Sequence, residues 1–109
     1  MTRDRINRIT GMAAVAVCAM LVSACATSRA LRLGDAASKA GDLDQAVAHY
    51  REAAQSAPTN PKAKIALERA LMAASRAHYD RGREFEAHEQ LDAARSEFQL
   101  ASEYDPANK

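Results

Sequence analysis

Two stretches of the chain match each other at a constant offset of 48 residues, and this internal repeat constrains the fold more than any other feature. The same residue types recur in the same order: a glycine, a leucine, an alanine, an aromatic residue, a second alanine and a proline. The matched pairs are Gly34 and Gly82, Leu43 and Leu91, Ala46 and Ala94, Tyr50 and Phe98, Ala53 and Ala101, and Pro58 and Pro106. A fixed period of this length predicts one supersecondary unit that occurs twice.

The composition predicts that this unit is helical. Of the 109 residues, 26 are alanine, and alanine loses the least free energy on entering a helix. Strands favour β-branched and aromatic side chains because these pack well on a pleated surface. After residue 24, the β-branched residues are limited to Thr27, Val47, Thr59 and Ile65. We therefore predict an all-α domain.

The repeated pattern resembles the tetratricopeptide repeat (TPR), a helix–turn–helix unit of about 34 residues. In this register the two units occupy residues 27–60 and 75–108, within a helical domain at 29–109. The resemblance implies antiparallel helical hairpins that form a fragment of a TPR-like solenoid. The residues that it assigns to packing within the repeats are Gly34, Ala46, Tyr50, Ala53, Gly82, Ala94, Phe98 and Ala101.

The offset exceeds the usual repeat length by about 14 residues, which is close to four full helical turns. A helical insertion at 61–74 accounts for the excess, because four turns return the apolar face of a helix to the same side. Asn60 is typical of an N-cap, and Pro61 is typical of the first helical position. We therefore predict one long helix from about 61 to about 87.

Three shorter helices complete the predicted domain. Their expected limits are about 28–40, about 43–57 and about 90–104. Asp42 is the expected N-cap of the second of these, with Gln45 as its partner in a capping box. Gly41 suits the turn before Asp42, whereas the counterpart of Gly41 in the second unit is Glu89.

The N-terminal segment has the layout of a secretory signal, in which a basic stretch precedes a short apolar one. Residues 12–24 carry no charge, and these thirteen residues are fewer than the roughly 20 that a transmembrane helix needs. A permanent transmembrane helix is therefore the weaker alternative. We predict a signal peptide at 1–24.

The end of this segment resembles the lipobox of bacterial lipoproteins, in the residues Val22, Ser23, Ala24 and Cys25. The resemblance implies cleavage between Ala24 and Cys25, lipidation of Cys25, and a lipidated tether at 25–28 that holds the domain on a membrane. Ala26 stands where aspartate would signal retention in the inner membrane, which favours the inner leaflet of the outer membrane, facing the periplasm. An ordinary signal peptide with an unrelated cysteine and a host without an outer membrane are the alternatives.

The sequence predicts no enzyme, cofactor site or metal site. His49, His78 and His88 lack the spacing of a helical metal pair, and Cys18 is lost with the signal. His78 falls on the apolar face of the long helix, where we expect a core residue with hydrogen-bonding partners. After residue 24 the chain holds 12 basic and 13 acidic residues, so we expect no nucleic-acid partner.

The TPR resemblance implies a protein partner, bound on the face that the first helices of the units form. The residues expected on that face are Arg32, Asp35, Arg76, Tyr79, Arg83 and Glu86. Phe98 on the last helix is expected to lack a cover, because solenoids usually need three or more repeats. An uncovered end predicts a docked partner, a homo-oligomer or a C-terminal continuation of the chain. A solvated helix surface is the alternative for all of these residues.

These features predict a membrane-anchored interaction module of the bacterial cell envelope rather than an enzyme. The chain resembles small TPR lipoproteins, including those of the pilotin type, which assist the assembly of secretins, pili or outer-membrane complexes. We therefore expect a scaffold or assembly factor for such a complex. The alternative is the N-terminal part of a longer envelope protein, such as a secretin of type II secretion or type IV pili.

Overall fold

The structure is a computed structural model that describes residues 2–105 and residue 107. The described residues form four α-helices, which are α1 (Thr2–Lys39), α2 (Leu43–Ser56), α3 (Pro61–Ala87) and α4 (Leu91–Tyr104). Consecutive helices pack as antiparallel neighbours. The predicted all-α architecture is therefore confirmed, including the long helix at 61–87. Pro106, predicted to end the second unit, lies outside the described residues.

Helix α3 connects the two hairpins because its halves pack on different neighbours. Ala63 and Ala70 in the first half belong to a core that α1 and α2 also form. In the second half, the hydroxyl of Ser75 donates a hydrogen bond of 2.7 Å to the carbonyl of Ala101 on α4. One continuous helix thus serves both the α1–α2 hairpin and the α3–α4 hairpin.

Local capping fixes where α3 begins. Oδ1 of Asn60 accepts hydrogen bonds from the backbone N–H groups of Lys62 and Ala63, at 3.0 and 3.4 Å. Pro61 occupies the first helical turn, where a missing N–H group leaves no hydrogen bond unmade. The predicted start of α3 is confirmed for the predicted reason.

Helix α2 begins at its predicted cap, but the capping box is half formed. Oδ1 of Asp42 accepts a hydrogen bond of 3.1 Å from the backbone N–H of Gln45. The backbone N–H of Asp42 donates to the carbonyl of Ala37 at 3.0 Å. The carbonyl of Ala37, near the end of α1, therefore accepts the hydrogen bond that we expected the Gln45 side chain to accept.

The two hairpin turns share a left-handed backbone but differ in sequence. Gly41 has φ 79° and Glu89 has φ 58°. The left-handed region disfavours residues with a Cβ atom and suits glycine. The second turn therefore carries a conformational cost that the first turn avoids.

The core consists mainly of small side chains, which allow the helices to approach closely. Val47 is the largest side chain that is fully buried. The alanines assigned to packing within the repeats are all buried, with exposed fractions of 0% for Ala46, 0% for Ala53, 3% for Ala94 and 6% for Ala101.

In each hairpin a glycine lies against an aromatic ring. A Cβ atom on Gly34 would lie 2.5 Å from the ring of Tyr50, and one on Gly82 would lie 2.6 Å from the ring of Phe98. Any larger residue would overlap the ring at either position. The two contacts are related by the 48-residue offset, so the sequence repeat corresponds to a repeated contact.

Helix α1 starts at Thr2, whereas we predicted a start near residue 28. Residues 25–28, expected as an extended tether, are helical because no proline or turn residue interrupts them. Residues 2–26 are all exposed, and burial in α1 begins at Thr27. By length and composition α1 contains a stretch that could cross a membrane, a property that it shares with signal sequences.

Candidate partner-binding surface

An open groove of about 730 Å³ lies between α3 and α4. We name it the α3–α4 groove, and it is lined by Met72, Ser75, Arg76, Tyr79, Phe98, Ala101, Ser102 and Asp105. On each helix the lining residues are three or four positions apart, so each helix contributes one face.

Two aromatic rings meet in the α3–α4 groove. The centroids of Tyr79 and Phe98 are 5.5 Å apart and their planes are inclined by 49°, an arrangement that favours attraction between the rings. The contact with Gly82 fixes the position of Phe98. Tyr79 is 51% exposed and Met72 is 54% exposed. A contiguous apolar surface of this kind is typical of protein contact sites.

A second groove, of about 720 Å³, lies between α1 and α3. We name it the α1–α3 groove, and it is lined by Asp35, Ser38, Tyr50, Pro61, Lys62, Ile65, Ala66, Arg69, Ala70 and Ala73. The exposed Ile65 lies between Lys62 and Arg69 on one face of α3. The α3 wall of this groove therefore has an apolar centre with basic flanks, while Asp35 lies on the α1 wall.

Tyr50 and Asp35 form a hydrogen bond in the wall of the α1–α3 groove. The hydroxyl of Tyr50 donates to Oδ1 of Asp35 at 2.6 Å. Burial, together with this bond and the negative charge of Asp35, raises the pKa of Tyr50 to about 12. The phenol thus remains neutral and keeps α1 attached to α2 at physiological pH.

A buried histidine lies where the two hairpins meet. His78 is 2% exposed. Its Nδ1 is 2.7 Å from Oε2 of Glu97 on α4, and its Nε2 is 2.9 Å from Oδ1 of Asp44 on α2. The two ring nitrogens thus contact carboxylates on both neighbouring helices, and the ring connects α2 to α4. The ring also stacks on Tyr104, with the centroids 5.4 Å apart. The expectation that His78 is a core residue with partners is confirmed.

Arg81 adds a positive charge beside Glu97. Its Nε donates to Oε2 of Glu97 at 3.1 Å. One terminal nitrogen is 2.7 Å from Nδ1 and 3.3 Å from Nε2 of His78, so it lies over the face of the ring rather than in its plane. The hydrogen bond from His78 lowers the pKa of Glu97, and Arg81 lowers it further, against the opposing effect of burial.

The polar groups at this contact between the hairpins bond to one another, although Asp44, His78 and Arg81 also line a cavity of about 260 Å³. In the described part of the chain, every buried side-chain nitrogen or oxygen has a hydrogen-bonding partner. The same residues contain no group of three or more His, Cys, Asp or Glu side chains that could hold a metal ion. The cluster around His78 therefore stabilises the contact between hairpins.

The residues predicted to contact a partner lie on more than one surface. Those in the α3–α4 groove are Arg76, Tyr79 and Phe98. Asp35 lines the α1–α3 groove, and Arg32 is exposed elsewhere on α1. Arg83 and Glu86 are exposed farther along α3, where they form a loose ion pair at 3.9 Å. The structure does not gather these residues on a single face.

Two exposed apolar residues of the grooves were missed by the sequence analysis. Met72 lines the α3–α4 groove and Ile65 lines the α1–α3 groove, and both belong to the stretch that was treated as an insertion. Both lie off the apolar stripe of α3 that contains Leu67, Ala74 and His78. The sequence signal that could have identified them is a large apolar residue outside the stripe of a helix that packs against its neighbours.

The predicted lipidation site is accessible. Cys25 and Cys18 are both exposed and unpaired on α1. Ala24 and Cys25 precede Thr27, the first buried residue of the helix. The predicted cleavage position therefore lies outside the packed part of the fold.

A sequence model described as Tetratricopeptide repeat matches residues 30–60. These residues form a TPR. The repeat comprises the packed part of α1, all of α2 and the linker to α3, and it contains the contact between Gly34 and Tyr50. No curated protein and no solved structure matches the chain. A TPR is a protein-interaction motif and is typically not catalytic, so the chain carries at least one unit of a protein-binding fold.

Proposed function

We propose that this chain is a membrane-anchored TPR interaction module of the bacterial cell envelope. In this proposal Cys25 carries lipid, and the helical domain faces the periplasm from the inner leaflet of the outer membrane. The grooves bind envelope proteins, so that the module acts as a scaffold or assembly factor for a secretion, pilus or outer-membrane complex. It does this without cofactor or metal.

The observation that carries the proposal is the position at which burial begins in α1. The lipobox-like pattern ends at Cys25, while residues 2–26 are exposed and Thr27 is only 5% exposed. A cleavage pattern and a packing boundary thus coincide within two residues. Cleavage after Ala24 would remove an exposed apolar segment and would leave the buried residues of α1 in place.

The chemistry of Cys25 supports stable anchoring. One acyl chain gives only marginal membrane binding, whereas several chains hold a protein firmly. A diacylglycerol on the thiol and an acyl chain on the new α-amino group supply three. Because Thr27 is already buried, two residues after Cys25, the anchored domain would lie close to the membrane surface.

The interaction role rests on the TPR and on the two grooves. The α3–α4 groove presents the exposed Tyr79 beside the half-buried Phe98, and the α1–α3 groove presents the exposed Ile65, so both have surface available for binding proteins. Tyr and Arg residues contribute strongly to protein interfaces, and Tyr79 and Arg76 lie together in the α3–α4 groove.

Metabolic labelling with a clickable palmitate analogue tests the anchor. We expect the wild type to be labelled and Cys25→Ser to be unlabelled, because the Cys25 thiol is the acceptor. Cys18→Ser is the matched control, since Cys18 is also exposed on α1 but is discarded with the signal. Equal labelling of Cys25→Ser and wild type would contradict the proposal.

Ala26→Asp tests the choice of membrane. Ala26 is exposed, so the substitution leaves packing unchanged. In a Gram-negative host, we expect it to move the labelled protein from the outer-membrane to the inner-membrane fraction of a density gradient. Recovery of the wild type in the inner-membrane fraction would overturn the outer-membrane assignment and leave the lipid anchor in place.

A further inference from the structure

The two units of this chain differ in what covers them. Leu31 and Tyr79 are related by the 48-residue offset and occupy the same position on the first helix of each hairpin. Leu31 is 9% exposed, whereas Tyr79 is 51% exposed. Their neighbours on the second helices, Tyr50 and Phe98, both lie against a glycine. The hairpins are thus alike internally, and the difference lies in a third helix.

In the first unit, the third helix is the first half of α3. The core that includes Leu31 and Tyr50 also includes Ala63 and Ala70, and Ala66 packs against it. These alanines are three and four residues apart, so they form a narrow strip of small side chains along α3. Small side chains let the backbone of α3 approach the hairpin closely.

In the second unit, the equivalent position is the open α3–α4 groove. The groove carries Arg76 and Asp105, one charge of each sign, so its net charge does not select a charged ligand. Its exposed apolar surface comes from Met72 and Tyr79. Shape and apolar contact therefore determine what fits there, as they do in the first unit.

We propose that the α3–α4 groove binds one helix of a partner protein, placed antiparallel to α4 as α3 is placed against α2. The bound helix carries small residues at the spacing of Ala63, Ala66 and Ala70, and it covers Tyr79 as α3 covers Leu31. This inference rests on the proposed interaction function and specifies the type of partner.

A peptide with the sequence of residues 57–74 is the probe, because this segment already covers the equivalent surface of the first unit. The labelled peptide is titrated with the full chain in lipid nanodiscs and followed by fluorescence anisotropy, with empty nanodiscs as the blank. We expect saturable binding at one peptide per chain. The affinity should change little with salt concentration, because screening acts mainly on charged contacts.

Tyr79→Asp is expected to weaken peptide binding roughly tenfold or more, since Tyr79 is the exposed aromatic anchor of the groove. Leu91→Asp is the matched control, because Leu91 is an exposed apolar residue of the same hairpin, 67% exposed, and does not line the groove. The two variants also show where the peptide binds. A peptide that displaced α3 from the first unit would not depend on Tyr79, which lines the α3–α4 groove.

A second peptide tests the small-residue strip. Replacing the counterparts of Ala63 and Ala70 by leucine should abolish binding, because the larger side chains hold the helix away from the groove. Equal binding of both peptides, equal loss in Tyr79→Asp and Leu91→Asp, or no binding of either peptide would overturn the proposal.

Sedimentation of the chain in detergent, without nanodiscs, tests whether a second copy of the chain covers the groove. Self-association that Tyr79→Asp abolishes in the absence of peptide would show that a second copy covers the groove, against this proposal. A monomeric chain that binds the peptide supports it. None of these outcomes alters the labelling of Cys25, so failure here is distinguishable from failure of the membrane-anchored function.

Discussion

Glu97 lies at the centre of the polar contact between the hairpins. Its carboxylate accepts hydrogen bonds from His78 and Arg81, and this lowers its pKa below the ordinary value of 4.5. A carboxyl group with a lowered folded-state pKa stabilises the fold fully above its unfolded pKa. That contribution is lost as the pH falls through the folded-state pKa. The junction should therefore weaken in acid.

We predict that Glu97→Gln lowers the thermal midpoint at neutral pH and reduces its decline below pH 4.5. Glutamine keeps an acceptor oxygen for the His78 ring but lacks the negative charge, so the hydrogen bonds from His78 and Arg81 lose their charge assistance, a loss of about 1 kcal/mol. Circular dichroism melts across the acid range measure both effects. Glu86→Gln is the control, because Glu86 is exposed and forms only a loose ion pair with Arg83. An identical decline in Glu97→Gln and wild type would contradict this account.

The turn between α3 and α4 is the element whose sequence fits its backbone least well. Glu89 adopts φ 58°, where a Cβ atom costs about 1–2 kcal/mol, whereas glycine adopts this conformation freely. We predict that Glu89→Gly stabilises the chain by roughly 0.5–1 kcal/mol, after the greater freedom of glycine in the unfolded state is subtracted. Urea denaturation at fixed pH measures the difference.

Gly41→Ala provides the reciprocal experiment in the first turn. A Cβ atom at Gly41 would meet nothing within 4 Å, so its cost is purely conformational. We expect a loss of about 1 kcal/mol. A stabilising Gly41→Ala, or a destabilising Glu89→Gly, would show that the two turns are not equivalent.

The helices were predictable where the chain carries local signals. Asn60 and Pro61 define the start of α3, and Asp42 defines the start of α2, because a cap acts within three residues of itself. The start of α1 was not predictable in the same way. The limit near residue 28 came from an expected cleavage, and the residues around Cys25 contain nothing that stops a helix.

The candidate site was predictable only in part, because its grooves depend on how distant helices pack. The expected exposure of Tyr79 agrees with the structure, whereas Phe98, expected to lack a cover, is half-buried against Gly82. The TPR register placed Tyr79 on the same face as Asp35, but the structure places Tyr79 and Asp35 in separate grooves. The partners of His78 lie 19 and 34 residues away along the chain. A helical pattern reveals that His78 faces inward, but not which carboxylates meet it.

At the scale of the whole molecule, α1 joins an exposed apolar segment to a packed segment. Residues 2–26 are all exposed, while the buried residues of α1 are Thr27, Ala30, Leu31 and Gly34. The α1–α2 hairpin therefore depends on the last four turns of this helix. Because one helix continues through the boundary, the apolar segment and the packed segment are joined without a flexible linker in the uncleaved chain.

This division predicts how the chain responds to truncation. Deleting residues 2–24 should shift the thermal midpoint by less than about 4 °C, because the loss of exposed residues costs at most roughly 0.5 kcal/mol in a domain of this size. A deletion that extends through Leu31 should abolish the cooperative transition, since it removes the buried residues Thr27, Ala30 and Leu31, and truncating one buried leucine alone costs about 2–5 kcal/mol. Circular dichroism of both truncated chains makes the comparison. A large loss of stability in the shorter deletion would show that the apolar segment supports the fold, and a cooperative transition in the longer one would show that α2, α3 and α4 fold without α1.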